Sequence, residues 1–137
     1  MDYNALKTLI QTHPSWPSVA DDVLTTWVNE VAISATRPTV STGTLFSCIA
    51  ANIADFNALS ADNKQVIRDI LYIHSGEGVP TATGSPARAL FQTIFAGKTA
   101  TLTAVGAAIT YQISRAEAAG VLGLVRQGDV EYARSLI

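Results

Sequence analysis

The chain has 137 residues, of which 48% are hydrophobic and 15% are charged, and its net charge at pH 7 is −2. This length suits one domain with a core of its own, so we predict a single domain over residues 1–137. The nine Lys and Arg residues are scattered singly. This argues against nucleic-acid binding, which needs a clustered basic patch.

Cysteine content and hydropathy argue against disulfides, zinc sites of paired cysteines and membrane-spanning segments. The single cysteine, Cys48, cannot form an intramolecular disulfide or a zinc site of paired cysteines. Its apolar helical surroundings predict a buried, unreactive thiol. The N-terminus lacks the pattern of a signal peptide, and the weakly polar stretch 99–113 is too short to cross a bilayer. We therefore expect synthesis in a reducing cytoplasm and no membrane association.

Helical periodicity dominates the first half of the chain. Ser18 is predicted to cap a helix that runs to Val31 and buries Trp27. Ser41 or Thr42 and then Ser60 are predicted to cap the next helices. The predicted buried positions of this half are Tyr3, Leu6, Ile10, Val19, Val23, Leu24, Trp27, Val28, Val31, Leu45, Phe46, Ile49, Ile53, Phe56, Val66, Ile67, Ile70 and Leu71.

The second half begins with a predicted exposed loop over residues 75–84. A helix follows that is capped by Ser85 and closed by Gly97, with Leu90, Phe91, Ile94 and Phe95 on its buried side. The next helix is predicted to start at Thr99 or Thr101 and to reach Ile113.

The end of the chain predicts two short helices. Ser114 and Glu117 fit a capping box, and Gly120 is the expected stop of the first helix. Asp129 is the predicted cap of the second helix, and residues 121–126 are compatible with a brief extended stretch. Together these patterns predict an all-α fold, a compact bundle of about six to eight short helices with short loops.

No residue pattern predicts catalysis, and we expect no catalytic residues, no cofactor and no metal. The sequence lacks a P-loop, a dinucleotide fingerprint, a nucleophile elbow and a His-Glu-x-x-His motif. An enzyme built on His74 and Glu77 is the third hypothesis for function. It is disfavoured because no second residue is visible that would orient the histidine.

Low charge density predicts that part of the surface is covered by a partner or by copies of the chain. Aromatic residues and arginine are favoured at the centres of interfaces. The predicted interface residues are Trp16, Tyr111, Arg115, Tyr132 and Arg134, and Tyr72 is a further exposed aromatic candidate. The alternative for Trp16 is that it folds back over the core and covers a helix end.

The C-terminal segment 114–137, SRAEAAGVLGLVRQGDVEYARSLI, resembles the closing segment of a family of small phage-encoded proteins. Members end in a similar Ser-Arg-Ala-Glu, Gly, Gly-Asp/His-Val and Ala-Arg pattern. The front half resembles them only in layout. The resemblance implies a viral origin and a virion-associated or tail-region role, and it implies no catalytic residues.

Two functions follow as expectations. The first is a non-enzymatic structural or accessory virion protein that binds other phage proteins in the tail region. Such a protein is made in the host cytoplasm and is localised in the virion. The alternative is a small phage-encoded inhibitor or modulator that binds a host protein. An inhibitor that mimics DNA would carry a larger negative charge than the net −2 of this chain.

Overall fold

The computed structural model describes residues 1–137, which form nine helices and four short strands. The helices span Tyr3–Ile10 (α1), Asp21–Asn29 (α2), Thr42–Ala51 (α3), Ile53–Asn57 (α4), Ala61–Ile73 (α5), Pro86–Ile94 (α6), Thr99–Ile109 (α7), Arg115–Ala118 (α8) and Gln127–Ser135 (α9). The strands span Val31–Thr36 (β1), Thr39–Val40 (β2), Val79–Pro80 (β3) and Thr110–Ser114 (β4).

The predicted all-α fold class is wrong, because the fold is mixed. Helices contain 57% of the residues and strands contain 11%. The strands form two antiparallel pairs, β1 with β4 and β2 with β3. In the second pair Thr39 lies opposite Pro80 and Val40 lies opposite Val79.

Each strand is short and pairs with a segment far along the chain, so local sequence patterns do not reveal it. The helical pattern predicts Val31 at the end of one helix and Ile113 at the end of another, but both lie in strands. Helix α7 ends at Ile109 instead. Their β-branched side chains favour extended structure, yet runs of two to six residues give too little alternation to outweigh the helical pattern beside them.

The segment 75–84 is also different from the predicted exposed loop. It contains β3, and the side chains of Val79 and Thr81 are buried. The Thr81 hydroxyl donates a hydrogen bond of 2.6 Å to the carbonyl of Arg37. Gly78 has a φ of +85°, and a Cβ there would lie 3.1 Å from the carbonyl oxygen of Val40. Only glycine suits this close approach of two backbones.

The chain forms two compact units, residues 1–34 with 112–137 (unit 1) and residues 35–111 (unit 2). Unit 2 is inserted in the sequence of unit 1, since the chain passes between them once within β1 and once within β4. The single domain predicted over residues 1–137 stays a prediction, which unfolding of the whole chain in one transition would support.

The core of unit 1 combines α1, α2, α8 and α9 with the segment 121–126. Its buried residues are Leu6, Ile10, Val19, Leu24, Val28, Ala116, Val121, Val125, Val130 and Ala133. The side-chain amide of Asn29 donates to the carbonyl of Val125 at 2.7 Å and accepts from its N–H at 3.1 Å. The Asn29 amide thus satisfies the N–H and the carbonyl of Val125, which a neighbouring strand would otherwise do. Residues 121–126 form no strand.

The core of unit 2 is formed by β2, β3 and the helices α3, α5, α6 and α7, with Leu59 from the turn before α5. Its buried residues are Val40, Leu45, Ile49, Leu59, Ile67, Ile70, Val79, Phe91, Ile94, Phe95, Val105 and Ile109. The rings of Phe91 and Phe95 stack with centroids 4.6 Å apart.

Several positions predicted as buried are exposed, among them Val23, Phe46, Ile53 and Leu90, and Trp27 is half-buried. These helices carry apolar residues on more than one side, but each packs with one face against a core.

Most of the predicted helix caps are confirmed. The hydroxyls of Ser41, Ser60, Ser85 and Ser114 each accept the backbone N–H three residues later. Ser114 and Glu117 complete the reciprocal capping box. Gly120 follows α8 with a φ of +84°, as a glycine stop requires.

Two predicted caps are wrong. Helix α2 starts at Asp21 after Ala20, and no side chain caps it, so Ser18 lies outside the helix. Asp129 is the third residue of α9, where its carboxylate accepts the N–H of Arg126 at 2.9 Å. A carboxylate at this position reaches back to the start of the helix and supports it without being the cap residue.

Helix α7 is capped by a residue from another helix. Lys98 precedes α7 and offers no side-chain acceptor. Instead, Oδ2 of Asp55 in α4 accepts the N–H of Thr101 at 3.0 Å and its hydroxyl at 2.9 Å. Thr101 is fully buried, so Asp55 satisfies two donors that water does not reach.

We expect Asp55→Ala to lower the free energy of unfolding by about 1–3 kcal/mol, because both donors of Thr101 lose their acceptor. Asp55→Asn keeps one acceptor oxygen and should lower the free energy of unfolding by less. Asp69→Ala is the control, since it removes an exposed carboxylate bonded to Gln65 and should change stability by less than about 0.5 kcal/mol. Urea unfolding followed by circular dichroism measures the differences. Equal losses at the two positions would contradict the capping role.

Candidate functional site

Both histidines lie at or just after the C-terminal end of a helix. Nδ1 of His13 accepts the N–H of Ser15 at 3.0 Å, and its ring lies edge-on to Trp27 with centroids 4.9 Å apart. His74 is the C-terminal cap of α5, and Glu77 is exposed in the turn that follows. No group of three or more His, Cys, Asp or Glu side chains is placed to hold a metal ion.

Cys48 lies on α3 and is only partly buried, packed against the core of unit 2. Burial raises the pKa of its thiol, and a backbone hydrogen bond acts in the opposite sense. A raised pKa leaves little thiolate at neutral pH, which disfavours nucleophilic chemistry.

Trp16 and Arg134 lie in direct contact in unit 1. The guanidinium of Arg134 stacks over the Trp16 ring at 5.1 Å from its centroid. It also donates to the carbonyl of Val19, and Nε lies 3.1 Å from Oδ1 of Asp21. These two atoms are buried and form an ion pair without the geometry of a hydrogen bond. Arg134 thus joins α9 to the start of α2, and Trp16 packs against the core of unit 1.

Arg115 contacts the C-terminal end of α2. Its Nη1 donates to the carbonyl of Trp27 at 3.0 Å and pairs with the Glu30 carboxylate. The guanidinium lies 4.9 Å from the centroid of the Trp27 ring. Since α2 ends at Asn29, Arg115 places a cation at the negative end of its helix dipole.

Tyr132 belongs to a third set of contacts in unit 1. Its ring lies edge-on to that of Tyr3, with centroids 4.7 Å apart. The Tyr3 hydroxyl donates to Oδ1 of Asp129 at 3.0 Å. This hydrogen bond is the main reason that the pKa of Tyr3 is raised, with smaller contributions from burial and from the Asp129 charge. The contacts join α1 to α9.

Tyr111 lies in unit 2, where the Arg37 guanidinium sits 5.1 Å from the centroid of its ring. Of the five predicted interface residues, the structure brings Trp16 and Arg134 into contact. Arg115, Tyr132 and Tyr111 each contact other partners. Their role in binding another protein stays a prediction, but every one of them has an intramolecular contact.

An exposed apolar depression on unit 2 is a candidate surface for binding a protein. We call it the Phe46–Tyr72 depression, and it is lined by Thr42, Gly43, Phe46, Leu71 and Tyr72. Phe46 is 61% exposed and Tyr72 is 83% exposed. No charged residue lines it. Two exposed aromatic side chains beside one depression can supply the anchors of an interface.

Sequence reasoning missed Phe46 because it placed this residue on a buried face. Leu45 and Ile49, four positions apart, are 2% and 4% exposed and occupy the buried face of α3. Phe46 is turned from Leu45 by about 100° around the helix, which carries it outside a narrow packed face. The signal that could have found Phe46 is the presence of apolar residues on more than one side of α3, since one side is then left exposed.

We expect Arg134→Ala to lower the free energy of unfolding by about 1–3 kcal/mol, because a charged hydrogen bond to Val19 and the contact with Trp16 are lost. Arg126→Ala is the matched control, since Arg126 is exposed at the other end of α9. Thermal and urea unfolding measure both variants. An Arg134→Ala variant as stable as wild type would show that these contacts contribute nothing measurable.

The raised pKa of Tyr3 predicts a pH dependence of stability. The folded state favours the neutral phenol, so the contribution is complete below the unfolded pKa of about 10 and is lost as pH rises through the higher folded value. Wild type should therefore exceed Tyr3→Phe in stability up to about pH 10, and the gap should shrink above it.

Urea unfolding at several pH values between 8 and 11 measures this gap. Tyr72→Phe controls for removal of a hydroxyl, since Tyr72 is exposed and its hydroxyl has no hydrogen-bond partner in unit 2. A gap between wild type and Tyr3→Phe that stays constant across this range would contradict the role of the Asp129 hydrogen bond.

Comparisons with family models, with curated proteins and with solved structures find no match to this chain. None of the nine helices combines the length and the apolar character needed to cross a membrane.

Proposed function

We propose that this chain is a non-enzymatic accessory or structural component of a phage virion that binds another virion protein in the tail region. The observation that carries the binding role is the Phe46–Tyr72 depression, where two aromatic side chains of unit 2 are largely exposed. The resemblance of residues 114–137 to small phage-encoded proteins supports the viral setting.

The chemistry of the depression favours a protein partner with an apolar surface. Burying apolar area stabilises an interface by about 25 cal/mol per Å² before the costs of association. Charged residues are depleted at the centres of interfaces, and none lines this depression. The partner is thus expected to present aliphatic or aromatic side chains and no charged group.

Neighbouring contacts hold part of this surface in place. The Ser41 hydroxyl caps α3 by accepting the N–H of Thr44 at 3.1 Å, so the first turn of the helix that bears Phe46 is fixed. Tyr72 lies in the last turn of α5, whose buried face includes Ile67 and Ile70. Anchors on helices that already pack into a core lose little backbone entropy on binding.

The test combines virion composition with variants of the depression. We expect mass spectrometry of purified virions of the encoding phage to detect the chain in stoichiometric amounts. Phage that carry Phe46→Ser with Tyr72→Ser should contain at least about tenfold less of it, the equivalent of about 1.4 kcal/mol of lost binding. Leu122→Ser is the control, because Leu122 is an apolar residue of unit 1 that is 81% exposed, close to the 83% of Tyr72.

Two results would contradict the proposal. Equal incorporation of the double variant and of Leu122→Ser would exclude the Phe46–Tyr72 depression as the binding surface. Absence of the chain from virions would exclude a virion component, and co-purification with a host protein would then favour the alternative of a host modulator. Circular dichroism of both variants shows whether each is folded.

A further inference from the structure

Unit 2 also contains a partly enclosed apolar cavity between α3, α6, α7 and β3, with a volume of about 310 Å³. Its walls include the buried side chains of Leu45, Val79, Phe91, Val105 and Ile109. Small-molecule sites measure about 300–1,000 Å³ and combine apolar walls with a few polar groups. The cavity has the size and the lining of a site at the small end of this range.

The polar groups of the lining include one cation, Arg88. Its Nη1 donates to the carbonyl of Thr81 at 3.0 Å and lies 3.4 Å from the hydroxyl of Thr83. These contacts hold the guanidinium, while its remaining N–H groups have no hydrogen-bond partner in unit 2. The ion pairs of the structure involve Arg115 and Arg134, so Arg88 has no carboxylate partner within its own unit.

We propose that this cavity binds a small amphipathic carboxylate of the medium-chain fatty acid class. The hydrocarbon chain would lie against the apolar walls and the carboxylate would pair with Arg88. A planar guanidinium can bind a carboxylate through two parallel hydrogen bonds. An apolar lining that includes one cation without a carboxylate partner in its own unit is the feature that selects this class.

A peptide fits the cavity less well. Extended peptides bind by pairing their backbone with the edge of a strand. The strand in this lining, β3, has two residues, and Pro80 has no N–H to donate. The polar groups of the lining suit one terminal anion better than the repeated N–H and carbonyl groups of a peptide backbone.

This inference is independent of the proposed protein interface, because the cavity and the Phe46–Tyr72 depression share no lining residue. Gly106 of α7 lies in the cavity lining, and a Cβ at this position would meet no atom within 4 Å. Gly106→Leu should therefore fill the cavity without a backbone clash, and it replaces a poor helix former with a good one. Ala107→Leu is the matched control on the same helix, since Ala107 is exposed and does not line the cavity.

The experiment titrates the full chain with decanoate, decanol and acetate, using methyl-resolved NMR of the valine residues. We expect decanoate to shift the signals of Val79 and Val105 and to bind at least about tenfold more tightly than decanol, while acetate binds too weakly to measure. Decanoate should also raise the melting temperature of the folded chain. Arg88→Gln should lower decanoate affinity to that of decanol and leave decanol binding unchanged.

Gly106→Leu should abolish decanoate binding, and Ala107→Leu should retain it. Decanoate that shifts no cavity methyl signal, or that binds Gly106→Leu as well as wild type, would overturn the proposal. If Gly106→Leu fails to fold, the comparison of decanoate with decanol in wild type and in Arg88→Gln decides alone. Equal affinity for the two ligands in wild type overturns the role of Arg88.

Discussion

The helices of this chain are short, and the longest, α5, has 13 residues. Isolated helices of this length are marginal in water, because nucleation is costly and few hydrogen bonds repay it. Each helix therefore depends on burial of one apolar face and on satisfaction of its free ends. This dependence explains why so many polar side chains of the structure are engaged at helix termini.

Some of these termini are satisfied locally and others by residues from far along the chain. The serine caps act within three residues, which makes them readable as short motifs. Helix α7 receives its cap from Asp55, and the end of α2 receives a guanidinium from Arg115. Distant partners of this kind are a property of the packed fold, since no local spacing encodes them.

The same constraint shapes the surfaces available for binding. A helix with apolar residues on two sides can bury only one of them in a small unit, and the other remains in water or is covered by a partner. Phe46 on α3 shows this at the surface of unit 2. The cavity lined by Phe91 and Val105 is a second apolar region of that unit, which is more enclosed and has the cation Arg88 in its lining. We propose a protein partner for the first and a small molecule for the second.

Local sequence patterns predict most helix locations, four serine caps, the capping box of Ser114 and Glu117, and the glycine stop at Gly120, because each depends on residues within one or two turns. Pairing of distant segments produces the strands, since β1 pairs with β4 and β2 with β3 across long stretches of chain. Tertiary structure also decides which apolar face of α3 is buried and which partners Arg115 and Arg134 contact. The partners of Arg115 and Arg134 lie 85 and 115 residues away along the chain, and local periodicity does not connect such positions.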